Sequence, residues 1–98
     1  MIDLSKITTF DWDQGNNDKS YKKHGLTPKE AEEIFLDENV FLVEDFKHSQ
    51  KEERFIAIGQ TKHHMHLFTV FSIRNNNIRI ISVRIANKKE RGLYEKTT

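Results

Sequence analysis

Seven side chains have the types and spacing to handle an anion: Lys23, His24, Arg54, Arg79, Arg84, Lys88 and Arg91. Arg79 and Arg84 lie inside Asn77-Ile78-Arg79-Ile80-Ile81-Ser82-Val83-Arg84-Ile85-Ala86, a run rich in β-branched residues that fit a pleated, partly buried surface. A buried guanidinium needs an anionic or hydrogen-bonding partner, so arginines held on a rigid strand are candidate anion ligands. Directly after the run, Asn87 is placed to cap a helix and Glu90 stands three residues on, as in a capping box, with Lys88, Lys89 and Arg91 in the first turn. Cations there oppose the helix dipole, so local helix stability does not account for them. Binding of a polyanion does.

Cleavage of RNA without a metal would use such a set. It needs a base for the 2′-hydroxyl proton, an acid for the leaving 5′-oxygen and cations aimed at the charge of the transition state. His24 is the natural acid or base near neutral pH, and arginine adds bidentate geometry. Glu52 or Glu53, beside Arg54, is either the base or an ion-pair partner. Strand parity raises a difficulty, because Arg79 and Arg84 point to opposite faces of a regular strand. A bulge between them would bring them together; otherwise one is structural or meets a protein partner. A metal site is the weaker reading. His63-His64-Met65-His66 puts His64 and His66 on one strand face, but no third ligand has recognisable spacing and there is no cysteine. There is no glycine-rich phosphate loop, nucleophile elbow or HExxH motif, and no cofactor is expected.

The chain has 98 residues, 36% of them hydrophobic, which fits one domain over 1–98. The absence of cysteine removes disulfides and thiol chemistry and fits a reducing cytoplasm. No apolar run approaches a membrane span, and the first residues lack a signal-peptide core, so the chain reads as soluble and intracellular, with no membrane partner. The net charge of +1 conceals a segregation. Residues 27–53 carry nine acids against three lysines, and residues 74–98 carry seven bases against two acids. One face is thus suited to a polyanion and another to repelling it or meeting a basic partner.

These residues need positioning elements. Phe10-Asp11-Trp12-Asp13 alternates like an edge strand. Asp18 can cap a short helix through His24, stopped by Gly25. Thr27-Pro28-Lys29-Glu30 combines an N-cap threonine, proline at the first helical position and a returning glutamate, predicting a helix to about Phe35 or Leu36. Strands follow at 40–43, 54–60, 65–73 and 77–86, joined by turns at Lys62-His63-His64 and Asn75-Asn76. The expected fold is α+β, a small antiparallel meander with two N-terminal helices and a short C-terminal one. Both faces of the last strands are largely apolar, so either the helices divide between the faces or a partner covers one.

Phe10-x-Trp12-Asp13, Lys23-His24-Gly25, Ala31…Phe35-x-Asp37, His48-Ser49…Glu53-Arg54-Phe55…Gly59 and Arg79-Ile80-Ile81-Ser82-x-Arg84-x-Ala86…Glu90-Arg91…Tyr94 occur in this order, and together they resemble the BrnT family of ribonuclease toxins over residues 10–95. The resemblance implies a RelE-like fold and an endoribonuclease that blocks translation by cutting RNA. It also implies a BrnA-type antitoxin, a ribbon-helix-helix protein, in a heterotetramer that binds operator DNA only through the antitoxin. By position it implies that Lys23, His24, Arg54, Arg79, Ser82, Arg84, Glu90, Arg91 and Tyr94 matter; taken with the anion-site reading, His24, Arg54, Arg79 and Arg84 are expected to be catalytic, and Lys23, Ser82, Lys88, Arg91 and Tyr94 substrate-binding. The sequence departs from the family pattern at Val83, where a small residue is common. A nucleic-acid-binding module without turnover is the alternative.

Overall fold

Thr27 caps the first described helix as its spacing predicts: its Oγ1 accepts from the Glu30 amide and the Glu30 carboxylate accepts from the Thr27 amide, with proline at the helix start. The computed structural model describes residues 9–12, 26–45 and 53–96. Within them the elements are β1 (Thr9–Trp12), α1 (Pro28–Glu33) with a 3₁₀ turn at Ile34–Leu36, β2 (Phe41–Glu44), β3 (Phe55–Gln60), β4 (His66–Arg74), β5 (Asn77–Ile85) and α2 (Lys88–Glu95). The helix expected through His24 lies outside the described residues. No described helix is long and apolar enough to cross a membrane.

The five strands form one sheet in the order β1-β5-β4-β3-β2. Strands β2 to β5 make the antiparallel meander. The wholly antiparallel expectation needs one correction, because β1 pairs with β5 in parallel. A two-residue turn joins β4 to β5, and both of its central residues, Asn75 (φ 51°) and Asn76 (φ 63°), take the left-handed conformation. Asparagine tolerates that conformation, and it matches the twist of a hairpin.

The helices divide between the faces of the sheet. On one face, α1 and its 3₁₀ turn bury Leu26, Ala31, Ile34 and Phe35 against Ala57, Leu67, Phe71, Ile78, Ile80 and Val83. Phe35 stands edge-on to Phe71, with ring centroids 5.1 Å apart. On the opposite face, α2 sets Tyr94, with Ala86, against Ile58 and the partly buried Phe41, Ile56 and Phe68. Among the described residues, two apolar faces are thereby served by two short helices.

Thr69 is fully buried on the α1 side, paired with Ala57 on β3 and Val83 on β5, and its hydroxyl has no hydrogen-bond partner among the described residues. A buried hydroxyl without a partner loses its water and gains nothing in exchange. Thr69→Val, which keeps the shape, is expected to raise the free energy of unfolding by about 1 kcal/mol. A higher denaturation midpoint at unchanged slope is the readout; an unchanged or lower midpoint would mean that the hydroxyl finds a partner.

Candidate functional site

The β4–β5 register decides the site. Phe71 pairs with Ile80 but Val70 pairs with Ser82, so Ile81 is an extra residue, a β-bulge. Before it the even positions face α1, and after it the odd ones do: Ile78, Ile80 and Val83 are all buried on that side. The regular alternation that groups Arg79 with Val83 and Ile80 with Arg84 is therefore corrected. Arg79 stands opposite Ser72, Ser82 opposite Val70 and Arg84 opposite Phe68, all on the face that α2 partly covers. One inserted residue puts both strand arginines on one side of a rigid sheet.

Arg54 joins the same face. It immediately precedes the first β3–β4 pair, Phe55 with Phe71, so alternation sets it beside Ile56 and Ile58 and across from Ser72. A transverse row of Arg54, Ser72 and Arg79 results, with β1 contributing Asp11 as the backbone partner of Arg79. Arg54 and Arg79 are half-buried and Ser82 is exposed.

Arg84 is occupied from within. Its Nη1 and Nη2 donate to the two Glu90 carboxylate oxygens at 2.7 and 2.6 Å, and its guanidinium carbon lies 4.2 Å from the centre of the Phe68 ring. Glu90 also accepts the Asn87 amide at 2.9 Å, while the Asn87 side chain accepts the Glu90 amide, so one carboxylate both caps α2 and binds Arg84. The hydrogen bonds from Arg84, more than offsetting burial, hold the Glu90 carboxyl below its ordinary range. This pair fixes the entry of α2, whose Lys88, Lys89 and Arg91 are exposed.

Tyr94 is buried under α2, its ring 5.0 Å from that of His66 and its hydroxyl donating to Asp37 Oδ2 at 2.6 Å. Asp37 also accepts the amides of Asn39 and Gln60, each at 2.9 Å. Burial would raise the Asp37 carboxyl, but these hydrogen bonds, Tyr94's foremost, and the charge of His66 hold it below its ordinary range. Burial and the same contact push the Tyr94 hydroxyl up to about 12. A carboxyl depressed by folding stabilises the protein above its ordinary titration range, and that contribution is lost as pH falls through the lower folded value. Tyr94→Phe is expected to lower stability by about 2 kcal/mol at pH 7, and to move the acid loss to higher pH. Urea denaturation from pH 7 down to pH 3 measures both, and superimposable profiles would show that the tether carries nothing.

The sequence-predicted residues thus separate into groups. Arg54, Arg79, Ser82 and Arg84 share a face, with Lys88 and Arg91 on the adjoining helix; Tyr94 is an anchor beneath that helix; Lys23, His24 and Glu52 lie outside the described residues, and Glu53 is exposed. The metal reading loses its shared strand face, because His64 sits in the turn at φ 64° beside Gln60 while His66 packs on Tyr94. Among the described residues no three His, Asp or Glu side chains form a group that could hold a metal ion. Sequence reasoning missed Ser72 and Asp37 as neighbours of these groups. Ser72 alternates with Val70 and Phe68 on β4, and that position was its only signal.

A solved structure, the ribonuclease toxin BrnT of Brucella abortus, is similar in fold: 20% of residues are identical, 83% of this chain and 99% of that one are covered, and the TM-score is 0.64. No match is found among curated proteins. The sequence model of the family described as "Ribonuclease toxin, BrnT, of type II toxin-antitoxin system" matches residues 12–90, a span that contains the bulge, the arginine row and the Arg84–Glu90 pair. By that match the chain belongs to the BrnT family of ribonuclease toxins of type II toxin–antitoxin systems.

Proposed function

We propose that this toxin is a metal-independent endoribonuclease that cuts RNA in the cytoplasm and so inhibits translation. The observation that carries the reading is the bulge at Ile81, which sets Arg79, Ser82 and Arg84 on one face with Arg54 in line. In this reading Arg54 and Arg79 stabilise the charge that builds on the phosphate, while Ser82, Lys23, Lys88 and Arg91 hold the RNA backbone. His24 moves the proton. Arg84 acts with Glu90, holding α2 in place while presenting its remaining N–H groups to the strand. Tyr94 serves the substrate indirectly, by anchoring the helix that carries Lys88 and Arg91.

A BrnA-type ribbon-helix-helix antitoxin neutralises the toxin in this proposal, in a heterotetramer that represses its own operon through the antitoxin's contacts with DNA. Membership in a type II toxin–antitoxin family supports a protein antitoxin, and the segregated charges suit separate faces for RNA and partner.

A specific observation favours a second reading, an RNA-binding module without turnover: Arg84 is already neutralised by Glu90, as a structural arginine would be. Turnover separates the two. Purified toxin at one-hundredth the concentration of RNA, in excess EDTA, is expected to accumulate cut RNA well beyond one equivalent. Binding with no cleavage would leave the module reading, and cleavage abolished by EDTA would end the claim of metal independence.

A further inference from the structure

We propose that the Ser72 hydroxyl is a ligand for the RNA phosphate, donating a hydrogen bond to the anion that Arg54 and Arg79 attract. The inference rests on the RNA-cleaving reading of this face and adds a residue to it. Ser72 is 1% exposed and its Oγ has no hydrogen-bond partner among the described residues. Most buried hydroxyls in native proteins are satisfied, and one left alone destabilises the fold, so an orphan needs a reason. Its neighbours supply one. Ser72 is paired with Arg79 on β5, where opposed residues are only about 5 Å apart, and continuing the β3 register by one residue sets Arg54, just before that strand, on its other side. Elsewhere on the same face β4 carries Val70 and Phe68, so alanine or valine would suit the packing at Ser72. A hydroxyl in line with two arginines on one face is a third donor for whatever anion they take.

The hydroxyl has almost no exposed surface in the free protein, so the phosphate reaches it only once a neighbouring side chain has turned. Arg79 is placed for this. It lies directly across from Ser72, is half-buried, and has a long flexible stem whose charged end a phosphate would draw outward. Thr69 provides an internal comparison on the same strand: it too is buried with an unpartnered hydroxyl, but it faces the opposite, apolar side. If the strand simply tolerates orphan hydroxyls, the two residues behave alike.

The experiment measures binding of a fluorescent 2′-O-methyl RNA oligonucleotide, which lacks the hydroxyl needed for cleavage, together with thermal midpoints of the same samples. Ser72→Ala is expected to raise the midpoint yet weaken RNA binding about tenfold, the loss of one hydrogen bond to a charged group. Thr69→Val is expected to raise the midpoint and leave binding unchanged. Ser72→Ala binding as tightly as wild type, or both variants weakening binding equally, would overturn the proposal. A wild type that binds this RNA in a Ser72-dependent way but never cleaves natural RNA would sink the catalytic reading and leave Ser72 as a ligand. A wild type that binds no RNA would overturn both.

Discussion

Arg79→Ala is expected to lower RNA cleavage by about 10²- to 10³-fold, the usual scale for removing one group that stabilises transition-state charge, while the protein still folds. Arg79 is the right residue for this test because of what surrounds it. It shares the face with Arg84, but Arg84 is bound on both terminal nitrogens by Glu90 and covers Phe68. Truncating Arg84 would strand the Glu90 carboxylate and loosen the entry to α2, so that lost activity would mix chemistry with folding. Arg79 has no such duty among the described residues, and its truncation should change stability by no more than about 0.5 kcal/mol. Single-turnover cleavage alongside a denaturation curve gives both numbers. Cleavage within a few-fold of wild type would place Arg79 outside the chemistry, and insoluble protein would make it structural. The same pair expressed in bacteria extends the test, with growth arrest expected from the wild type alone.

Gly59→Ala should be the most damaging single methyl group in the described sheet. Gly59 lies on β3 opposite Leu67, on the α1 face, where the 3₁₀ turn crosses the sheet. A Cβ built there would come within 2.7 Å of Ile34 Cβ, 2.9 Å of the Ile34 carbonyl oxygen and 3.3 Å of Ile34 Cα. Two of those three atoms are backbone, and a backbone cannot rotate away as a flexible side chain can. Either the turn lifts from the sheet, opening the contacts of Ile34 and Phe35, or the strand bends. Overpacking of this kind costs about 3 kcal/mol, enough to shift the thermal midpoint of a domain this size by more than 10 °C. A midpoint within about 2 °C of wild type would mean that the turn and sheet slide past each other freely. Cleavage at a temperature where the variant remains folded should be nearly normal, since the arginine row lies on the other face.

Much of the scaffold is local chemistry, and local chemistry is written in the sequence. Thr27-Pro28-Lys29-Glu30 and Asn87-Lys88-Lys89-Glu90 each hold a cap, its returning carboxylate and the helix start within one turn, and both capping boxes form. The β-branched runs become β3, β4 and β5 within a residue or two of their expected limits, and Asn75-Asn76 makes the turn that its tolerance of positive φ allows. The two arginines of β5 were equally plain as candidates, because a strand rarely carries two arginines without partners for them. What those residues face was decided only by the tertiary structure. Ile81 sits between Ile80 and Ser82 and nothing in its type distinguishes a bulge from regular alternation; the extra residue exists because β5 must pair with β4 and also fit Ile80 and Val83 into the core beneath α1. The parallel pairing of β1, the tether of Tyr94 to an aspartate 57 positions away and the row of Arg54, Ser72 and Arg79 likewise join residues remote in sequence. Side-chain type and short-range hydrogen bonding are properties of a few consecutive residues, whereas register is settled by the burial of whole faces at once.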